Sequence, residues 1–417
     1  MSLRLLSLSS RKWSNTHIVF GVFVIAFLIR LGIMLVLRPY NQPLRAEIHH
    51  LAYSIASGQG YENPYATPTG PTAHYTPGCP LILAGIYHFF GTGKLAEAIT
   101  YVIDIVVASF SFALLPILSM WLGFPRRVGL AAGIAGAVFP VYLLNEYRSI
   151  TAVVAALCLV ALAVMTAWAW KSQQELTGGL GALFGLAWGV AVLFCPNLLL
   201  VGILWLVAAV IHYRAKAVMF SVAALAVALA ILCPWAIRNQ IVLGSPIFSR
   251  SNLGLELWIS NNDVSAPSYA DNGESQRRYH PFLNPLESDQ VRRLGEATYM
   301  HQKLAASTAW IEQHPRRFAT LTENRIFLFW FPITYRVGQT IVLWGLSAAG
   351  LVGLAFAWVR QRTALWILGS IWLAYPLVYY LVQLDNPYRY PIYWSVLLLA
   401  VYGLTCSIEL IRDGRLG

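Results

Sequence analysis

Charged residues are scarce in this chain of 417 residues, of which Asp, Glu, Lys and Arg make up only 11%. Soluble domains carry about 25% charged residues. Hydrophobic residues reach 58% here and the mean hydropathy is +0.59. The composition therefore excludes a soluble globular domain, a disordered chain, a collagen and a coiled coil, and predicts a chain that lies mostly in lipid.

Cysteines are few and lie far apart in the sequence. Their spacing predicts neither a disulfide framework nor a Cys/His metal site, with one bridge involving Cys79 as the alternative. Walker and dinucleotide-binding motifs are also missing, and no Ser/His/Asp arrangement is evident. The five cysteines are Cys79, Cys158, Cys195, Cys233 and Cys406.

Acidic residues are outnumbered, since 18 Asp and Glu face 29 Lys and Arg for a net charge of +11. In a soluble protein this balance would indicate nucleic acid as a partner. In a membrane protein it is typical of basic links on the cytoplasmic side. We therefore expect a lipid environment and no nucleic acid.

Apolar runs of about 20 residues, the length that spans a bilayer, recur along the chain. The first run lacks a small-residue cleavage site and is interpreted as a lasting anchor. We predict about ten (10–11) transmembrane helices, near 17–37, 97–122, 128–145, 150–170, 178–194, 197–213, 217–237, 338–359, 363–383 and 390–410.

The charges between these spans predict the topology. With both termini cytoplasmic, every inner link is basic, as the positive-inside rule requires. This gives a multi-pass protein of a plasma membrane, the bacterial inner membrane being the expected one. The predicted parts are a membrane module over 1–237 with a first outer loop at 38–96, an outer region at 238–337, and C-terminal spans at 338–417.

Short helices are predicted inside both outer loops. Arg45–Gly58 reads as amphipathic, and Pro77–Gly91 is too short to span, so it is expected at the interface. Glu287–His314 is predicted as one helix, and Phe318–Phe331 as either an interfacial helix, which is preferred, or an eleventh span. The fold class is therefore an all-α polytopic membrane protein.

Five segments resemble one family in order and in topological place. They are SGQGY (57–61), GPTAHYTPGCPLILAGIYHFFG (70–91), PWAIRNQIVLGSPIF (234–248), NLGLELWISNN (252–262) and DNPYRYPIYW (385–394). Together they resemble the GT-C glycosyltransferases, in particular the bacterial branch related to aminoarabinose transferases and protein O-mannosyltransferases. The resemblance implies a GT-C-like helical bundle.

The resemblance also implies an activity, namely transfer of a sugar from a polyprenyl-phosphate donor to a hydroxyl acceptor on the outer face, with inversion. A transporter or flippase of lipid-linked sugars is the alternative, although transporters typically show repeats and charges at the bilayer midplane. A structural subunit of an envelope assembly is a third reading. The sequence leaves the sugar, the acceptor, the carrier length and the oligomeric state open.

Inverting transfer needs a carboxylate to take the acceptor proton. Glu47 is the first candidate, because it is the only acidic residue of the first short helix; pairing with Arg45 or His50 is its structural alternative. Glu62 is a reserve. His49 and His50 are candidates to tune the carboxylate or hold acceptor, or are simply solvated.

Two further carboxylates lie near predicted span ends. Asp104 is an ionisable residue at membrane depth, which indicates a functional role. The structural alternative is an ion pair with Arg30 or a hydrogen bond between helices. Glu146 ends the third span, beside Arg148, and is the fourth candidate for a catalytic carboxylate.

The leaving phosphate needs cations, and guanidinium binds phosphate in a bidentate way. Arg389, Arg238 and Arg325 are the candidates, with snorkelling at the lipid boundary as the alternative. Glu256 is either a sugar contact or the partner of Arg250. The remaining candidate substrate contacts are Thr72, His74, Tyr75, Asn239, Asn261, Asn262 and Tyr388.

No cofactor is predicted. Metal dependence stays open, because outer-face carboxylates could bind a divalent ion as the resemblance to the oligosaccharyltransferase branch implies, but no acidic cluster in the sequence indicates one.

Overall fold

The computed structural model describes residues 15–41, 46–139, 146, 149–171, 176–334 and 336–413. Within these ranges the regular structure is helical, and extended pairing is limited to isolated bridges between Glu62 and Pro71 and between Ser268 and Leu384. The predicted all-α class is therefore confirmed. Arg45 and Arg148 lie outside the described residues.

The helices of the membrane body surround a core of large aromatic and small side chains. Trp188, Trp205 and Trp394 are fully buried in it. Its helices are α1 (Asn15–Leu37), α4 (Lys94–Ala113), α5 (Leu115–Leu122), α6 (Arg126–Val138), α7 (Ile150–Lys171), α8 (Gly178–Phe194), α9 (Leu198–Tyr213), α10 (Ala215–Leu243), α16 (Val337–Arg360), α17 (Arg362–Ala374), α18 (Leu377–Leu381) and α19 (Tyr390–Arg412).

Two segments outside this body carry the remaining helices. The first loop, 46–93, contains α2 (Glu47–Ala56) and α3 (Gly78–Phe90). The second loop, 244–336, contains α11 (Leu253–Ser260), α12 (Gly273–Tyr279), α13 (Pro285–Leu294), α14 (Glu296–Gln313) and α15 (Pro315–Trp330). Short 3₁₀ turns lie at Pro39–Asn41 and Asn386–Arg389.

Seven helical stretches of the described chain are long and apolar enough to cross a membrane, which makes this a multi-pass membrane protein. The predicted spans 178–194 and 197–213 are helices of 17 and 16 residues, which is slightly shorter than these seven spanning stretches. The third predicted span is described only to Phe139. Helix α15 has 16 residues and is not among the seven.

Two predicted boundaries are wrong. The helix predicted to end at residue 237 is longer in the structure, because α10 continues through Pro234 to Leu243. A proline removes one backbone hydrogen bond, and packing against neighbouring helices lets a membrane helix continue past it. The predicted helix Glu287–His314 is broken at Gly295, whose φ of 76° is a left-handed conformation that favours glycine.

All five cysteines are free, so the alternative of a bridge at Cys79 is also wrong.

Glycines let α8 and α10 approach closely. A Cβ at Gly181 would overlap the carbonyl oxygen of Phe220, and a Cβ at Gly185 that of Ala224. Lipid provides no hydrophobic drive between helices, so close backbone packing at small residues stabilises the pair. This contact fixes one wall of the helical bundle.

Replacing Gly185 with leucine is expected to lower the free energy of unfolding by about 2–3 kcal/mol, because overpacking forces the helices apart. The measurement is thermal or denaturant unfolding of purified protein in lipid. Gly32→Leu is the matched control, since a Cβ there meets nothing within 4 Å. An equal effect of both variants would contradict the packing argument.

Candidate functional site

Glu296 joins the two loops. Its carboxylate accepts hydrogen bonds from the hydroxyl of Thr72, from the backbone N–H of Ala73 at 2.7 Å and from the hydroxyl of Ser251 at 2.7 Å. The N–H of Ser251 also donates to the carbonyl of Ala73 at 2.9 Å. Since Glu296 opens α14, the irregular segment before α3 is anchored to a rigid helix.

Arg238, near the end of α10, holds the same irregular segment. Its guanidinium donates to the carbonyl oxygens of Thr72 at 2.6 Å and Tyr61 at 2.8 Å. It also lies about 5 Å from the rings of Tyr61 (5.3 Å) and Trp235 (5.2 Å). These contacts commit Arg238 to loop structure, so the prediction that it holds phosphate receives no support from its geometry.

Glu47, the first residue of α2, lies in a cluster of polar side chains. Its Oε2 is 3.2 Å from Nε2 of His74 and 3.5 Å from the hydroxyl of Tyr75, which donates to it. Its Oε1 is 3.6 Å from Nε2 of His280, which is too long for a hydrogen bond, and Oε1 has no other partner among the described residues. One carboxylate oxygen is thus held and the other is open.

The charge of this cluster follows from its surroundings. Burial by itself raises the pKa of Glu47, but attraction to the imidazoles of His74 and His280 outweighs it and holds the pKa at about 2. Burial lowers the pKa of His74, yet the Glu47 carboxylate beside it raises that pKa above its ordinary value. Glu47 is therefore ionised at any physiological pH.

The Glu47–His74 pair predicts a stability maximum on the acid side of neutral. A lowered carboxylate pKa contributes stability above its ordinary 4.5 that is lost as the pH falls towards about 2. A raised imidazole pKa contributes stability below its ordinary 6.5 that is lost as the pH rises through the raised value. Unfolding midpoints should therefore peak between 4.5 and 6.5 for this pair.

The measurement is a pH series of unfolding midpoints for the wild type and for His74→Gln. In the wild type the unfolding midpoint should fall as the pH becomes alkaline, and in His74→Gln this fall should be absent. A wild-type profile unchanged by His74→Gln would contradict the ion pair.

A cavity of about 320 Å³, the main cavity, lies beside this cluster. Tyr75 forms part of its wall and so connects it to Glu47. Arg250 and Glu256 bring one charge of each sign to it, and Tyr388 lies on its wall, with the Tyr388 ring stacked 4.6 Å from that of Tyr379. The rest of the lining is mainly apolar, as in many small-molecule sites.

Arg250 is held in place with donors to spare. Its Nε donates to the carbonyl of His74 at 2.8 Å, and its guanidinium lies 4.5 Å from the ring of Tyr75. Its two terminal nitrogens have no hydrogen-bond partner among the described residues. The predicted ion pair with Glu256 is not formed within 4 Å in the described structure; Glu256 accepts instead from Asn252 at 3.1 Å.

Arg389 is a second cation with unused donors. Its side chain is 2% exposed and one terminal nitrogen donates to the hydroxyl of Ser347. Nε and the other terminal nitrogen are buried without a partner among the described residues. Buried donors without acceptors are costly, so an anion at this position would stabilise the protein.

His49 and Asp104 line a second, smaller cavity of about 110 Å³. Nδ1 of His49 is 2.6 Å from the hydroxyl of Tyr87. Burial, and to a lesser extent the neighbouring His50, lower the pKa of His49 to about 4, so this imidazole is neutral. The ring of His50 instead packs edge-on against Phe282 at 5.5 Å.

The other predicted residues lie away from both cavities. Arg325 donates to Asn261 and to the carbonyls of Ser260 and Leu381, which ties α15 to two helix ends. Amide groups of Asn239, Asn261 and Asn262 bond to nearby carbonyls. Glu62 accepts from Asn63 near the protein surface.

Glu146 is engaged with Arg30 rather than with either cavity. Nε of Arg30 is 2.7 Å from one oxygen of Glu146, and a terminal nitrogen is 2.9 Å from the other. The hydroxyl of Tyr390 donates to the same carboxylate at 3.1 Å. Arg30 thus bonds Glu146, and the pairing of Asp104 with Arg30 that was the alternative for Asp104 is not the contact observed.

Three residues of the site were missed by sequence reasoning: His280 and Glu296 were not considered, and Arg250 appeared only as a partner for Glu256. All three lie in the second loop, far along the chain from Glu47. Since they reach the first loop only through folding, no local pattern marks them. The one available signal is a histidine at the helix-ending step Tyr279–His280–Pro281.

No group of three His, Cys, Asp or Glu side chains arranged to hold a metal ion occurs in the described ranges. The prediction that the protein uses no cofactor, with a divalent ion as its open alternative, can be tested by adding a chelator to a sugar-transfer assay.

Comparison with known proteins identifies the fold. No family model and no curated protein sequence match this chain. Among solved structures it matches the Archaeoglobus fulgidus oligosaccharyltransferase in its apo form, with a TM-score of 0.59 at 14% identity over 97% of this chain. The form tethered to an acceptor peptide matches with a TM-score of 0.57 at 14% identity over 97% of this chain.

A third structure, that enzyme in complex with Zn and sulfate, matches with a TM-score of 0.53 at 16% identity over 94% of this chain. This chain spans about half of the neighbour's length, 52%, 51% and 49% in the three structures. At such low identity the likeness shows the fold alone, an all-α polytopic membrane bundle similar to about half of that enzyme. The bacterial branch named from the sequence remains a prediction.

Proposed function

We propose that this protein is an inverting membrane glycosyltransferase that moves a sugar from a polyprenyl-phosphate donor to a hydroxyl acceptor. The observation that carries the proposal is the juxtaposition, across Tyr75, of the ionised Glu47 cluster and a cavity containing Arg250. The GT-C fold supports it, since the solved neighbours are oligosaccharyltransferases. The acceptor is a glycolipid, a polysaccharide or a protein.

The geometry fits Glu47 as proton acceptor. His74 and Tyr75 fix Oε2, and Oε1 is left without a hydrogen-bond partner in the described structure. An acceptor hydroxyl bonded to Oε1 would be oriented for attack, and its proton would pass to the carboxylate as the new bond forms. A pKa of about 2 makes this transfer late, when the attacking oxygen has become acidic.

In this reaction the acceptor oxygen bonds to the anomeric carbon from the face opposite the phosphate. The bond between that carbon and the phosphate oxygen breaks, and the electron pair leaves with the polyprenyl phosphate. Arg250 has two terminal nitrogens to offer the leaving group, and charge-assisted hydrogen bonds from guanidinium stabilise such negative charge. Arg389 is the second proposed phosphate contact, beside the cavity residue Tyr388.

The test is transfer of radiolabelled sugar from a panel of polyprenyl-phosphate donors by purified protein in lipid. Arg250→Gln is expected to raise KM for donor roughly 10- to 100-fold, the equivalent of a lost charged hydrogen bond of about 1.5–3 kcal/mol. Arg277→Gln is the control, because Arg277 is exposed on α12. Unchanged KM in Arg250→Gln would remove Arg250 from the donor site.

The same assay separates the alternative. A transporter of lipid-linked sugars would bind or move labelled donor without consuming it. If the donor is not consumed and labelled lipid appears in the opposite leaflet, the transporter interpretation would replace the transferase proposal.

A further inference from the structure

One face of α4 carries a stripe of polar residues in an otherwise apolar membrane helix. Glu97, Thr100, Tyr101 and Asp104 follow each other at steps of three, one and three residues. These steps place all four side chains on one side of a helix with 3.6 residues per turn. The helix belongs to a stretch, Lys94–Leu122, that is apolar enough to span a membrane.

All four residues line the second cavity, of about 110 Å³. The opposite wall adds Ser149 and Thr151 at the start of α7 and His49 from α2. Tyr75, Ser149 and Thr151 line both this cavity and the main cavity, so the two are neighbours. The smaller cavity has room for a small ion and at least one molecule of water, since one water needs about 10–15 Å³ of such space.

Asp104 is the unusual group in this cavity. It is 2% exposed, and its Oδ1 is buried with no hydrogen-bond partner among the described residues. Glu97, the other acid, is 4% exposed. A buried carboxylate without a partner is costly, and such acids in membrane helices normally pair or mark a site.

Among the residues that the structure describes, the positive charges near Asp104 do not balance these two acids. Arg30 bonds Glu146, and His49 is neutral because burial lowers its pKa to about 4. The N-terminus of α7 offers about half a unit of positive charge. That is less than the charge of one carboxylate, so the described lining of the cavity is negative when both acids are ionised.

We propose that this cavity binds one small monovalent cation, either a free ion or a primary ammonium group, with Asp104 as its direct ligand. Hydroxyl oxygens of Thr100, Ser149 and Thr151 are the neutral ligands, and carboxylate and hydroxyl oxygens suit hard cations. Glu97 lies two helical turns from Asp104 and adds charge at the other end of the cavity. A divalent ion would need more charge in direct contact.

The test is thermal unfolding of the full chain, followed by tryptophan fluorescence, in nanodiscs made from lipids without primary amines. The buffer cation is N-methylglucamine at constant ionic strength, and NaCl, KCl, methylammonium chloride or MgCl₂ replaces it stepwise. The wild type should show a saturable rise of the midpoint, since a ligand that binds only the folded state stabilises it. Saturation by Na⁺ or K⁺ identifies a free ion, and saturation by methylammonium alone identifies an ammonium group.

Asp104→Asn should abolish the saturable rise, and Glu97→Gln should weaken it at least threefold in apparent Kd. Glu312→Gln, an exposed acid on α14, is the control and should respond as the wild type does. An equal response in Asp104→Asn, a response to MgCl₂ alone, or no response in the wild type would overturn the proposal. Binding of ²²Na⁺ or ¹⁴C-methylammonium, measured by scintillation proximity, repeats the comparison without depending on stability.

Discussion

Glu47→Gln is expected to lower turnover by about 10²- to 10⁴-fold, the usual contribution of a positioned proton acceptor. Glutamine keeps the size and the hydrogen bond to Tyr75 but cannot take the acceptor proton. Because it also removes the charge beside His74, the measurement pairs single-turnover sugar transfer with donor binding. Turnover should fall while the donor Kd stays within a few fold.

Two comparisons make this result interpretable. Glu312→Gln removes an exposed carboxylate of the same helix-rich region and should leave turnover unchanged. His280→Gln perturbs the cluster but leaves the carboxylate, so a smaller loss with a shifted pH profile is expected. Full turnover in Glu47→Gln would transfer the role of base to Glu62, Asp104 or Glu146.

Glu146→Ala is expected to lower the free energy of unfolding by about 3–5 kcal/mol, the typical cost of leaving one member of a buried ion pair alone. Arg30 is fully buried, and its two bonds to Glu146 are 2.7 and 2.9 Å long. Without Glu146 a buried guanidinium on α1 would lose its counter-charge. Unfolding of purified protein in lipid, followed by fluorescence, measures the change.

The ion pair of Arg127 with Glu409 is the control for this experiment. Its side chains are 70% and 42% exposed, and exposed pairs contribute about 0–1 kcal/mol. Glu409→Ala should therefore cost far less than Glu146→Ala. The double variant Arg30→Met/Glu146→Leu should recover part of the loss, because it buries no charge. No recovery would mean that contacts other than the ion pair dominate.

The first loop shows how far sequence reasoning reached towards the site. Short helices were predicted at Arg45–Gly58 and Pro77–Gly91, and the structure has helices at Glu47–Ala56 and Gly78–Phe90. The resemblance placed Glu47, His74 and Tyr75 together as candidates, and the structure brings their polar atoms within 3.5 Å of Glu47. Their catalytic role remains a proposal.

The cations show where sequence reasoning stopped. Arg389, Arg238 and Arg325 were all candidate phosphate ligands because each is an arginine on the predicted outer side. In the structure Arg238 and Arg325 donate to backbone carbonyls, and Arg325 keeps only its Nε without a partner among the described residues. Arg389 and Arg250 each keep two nitrogens without one. The hydrogen-bond partners of a guanidinium depend on which carbonyl groups the fold brings beside it. The residue type alone does not predict those partners.

The sequence by itself determined that this protein lies in a membrane, that it is helical and where most of its membrane helices lie. The reason is that hydropathy, and the cost of leaving backbone polar groups without hydrogen bonds in lipid, act within each segment of the chain. Tertiary structure alone decided that Glu296 joins the loops, that His280 reaches Glu47, and that Asp104 faces a small polar cavity instead of Arg30. These contacts join residues far apart in the chain. Their energies depend on distances that exist only once the helices have packed.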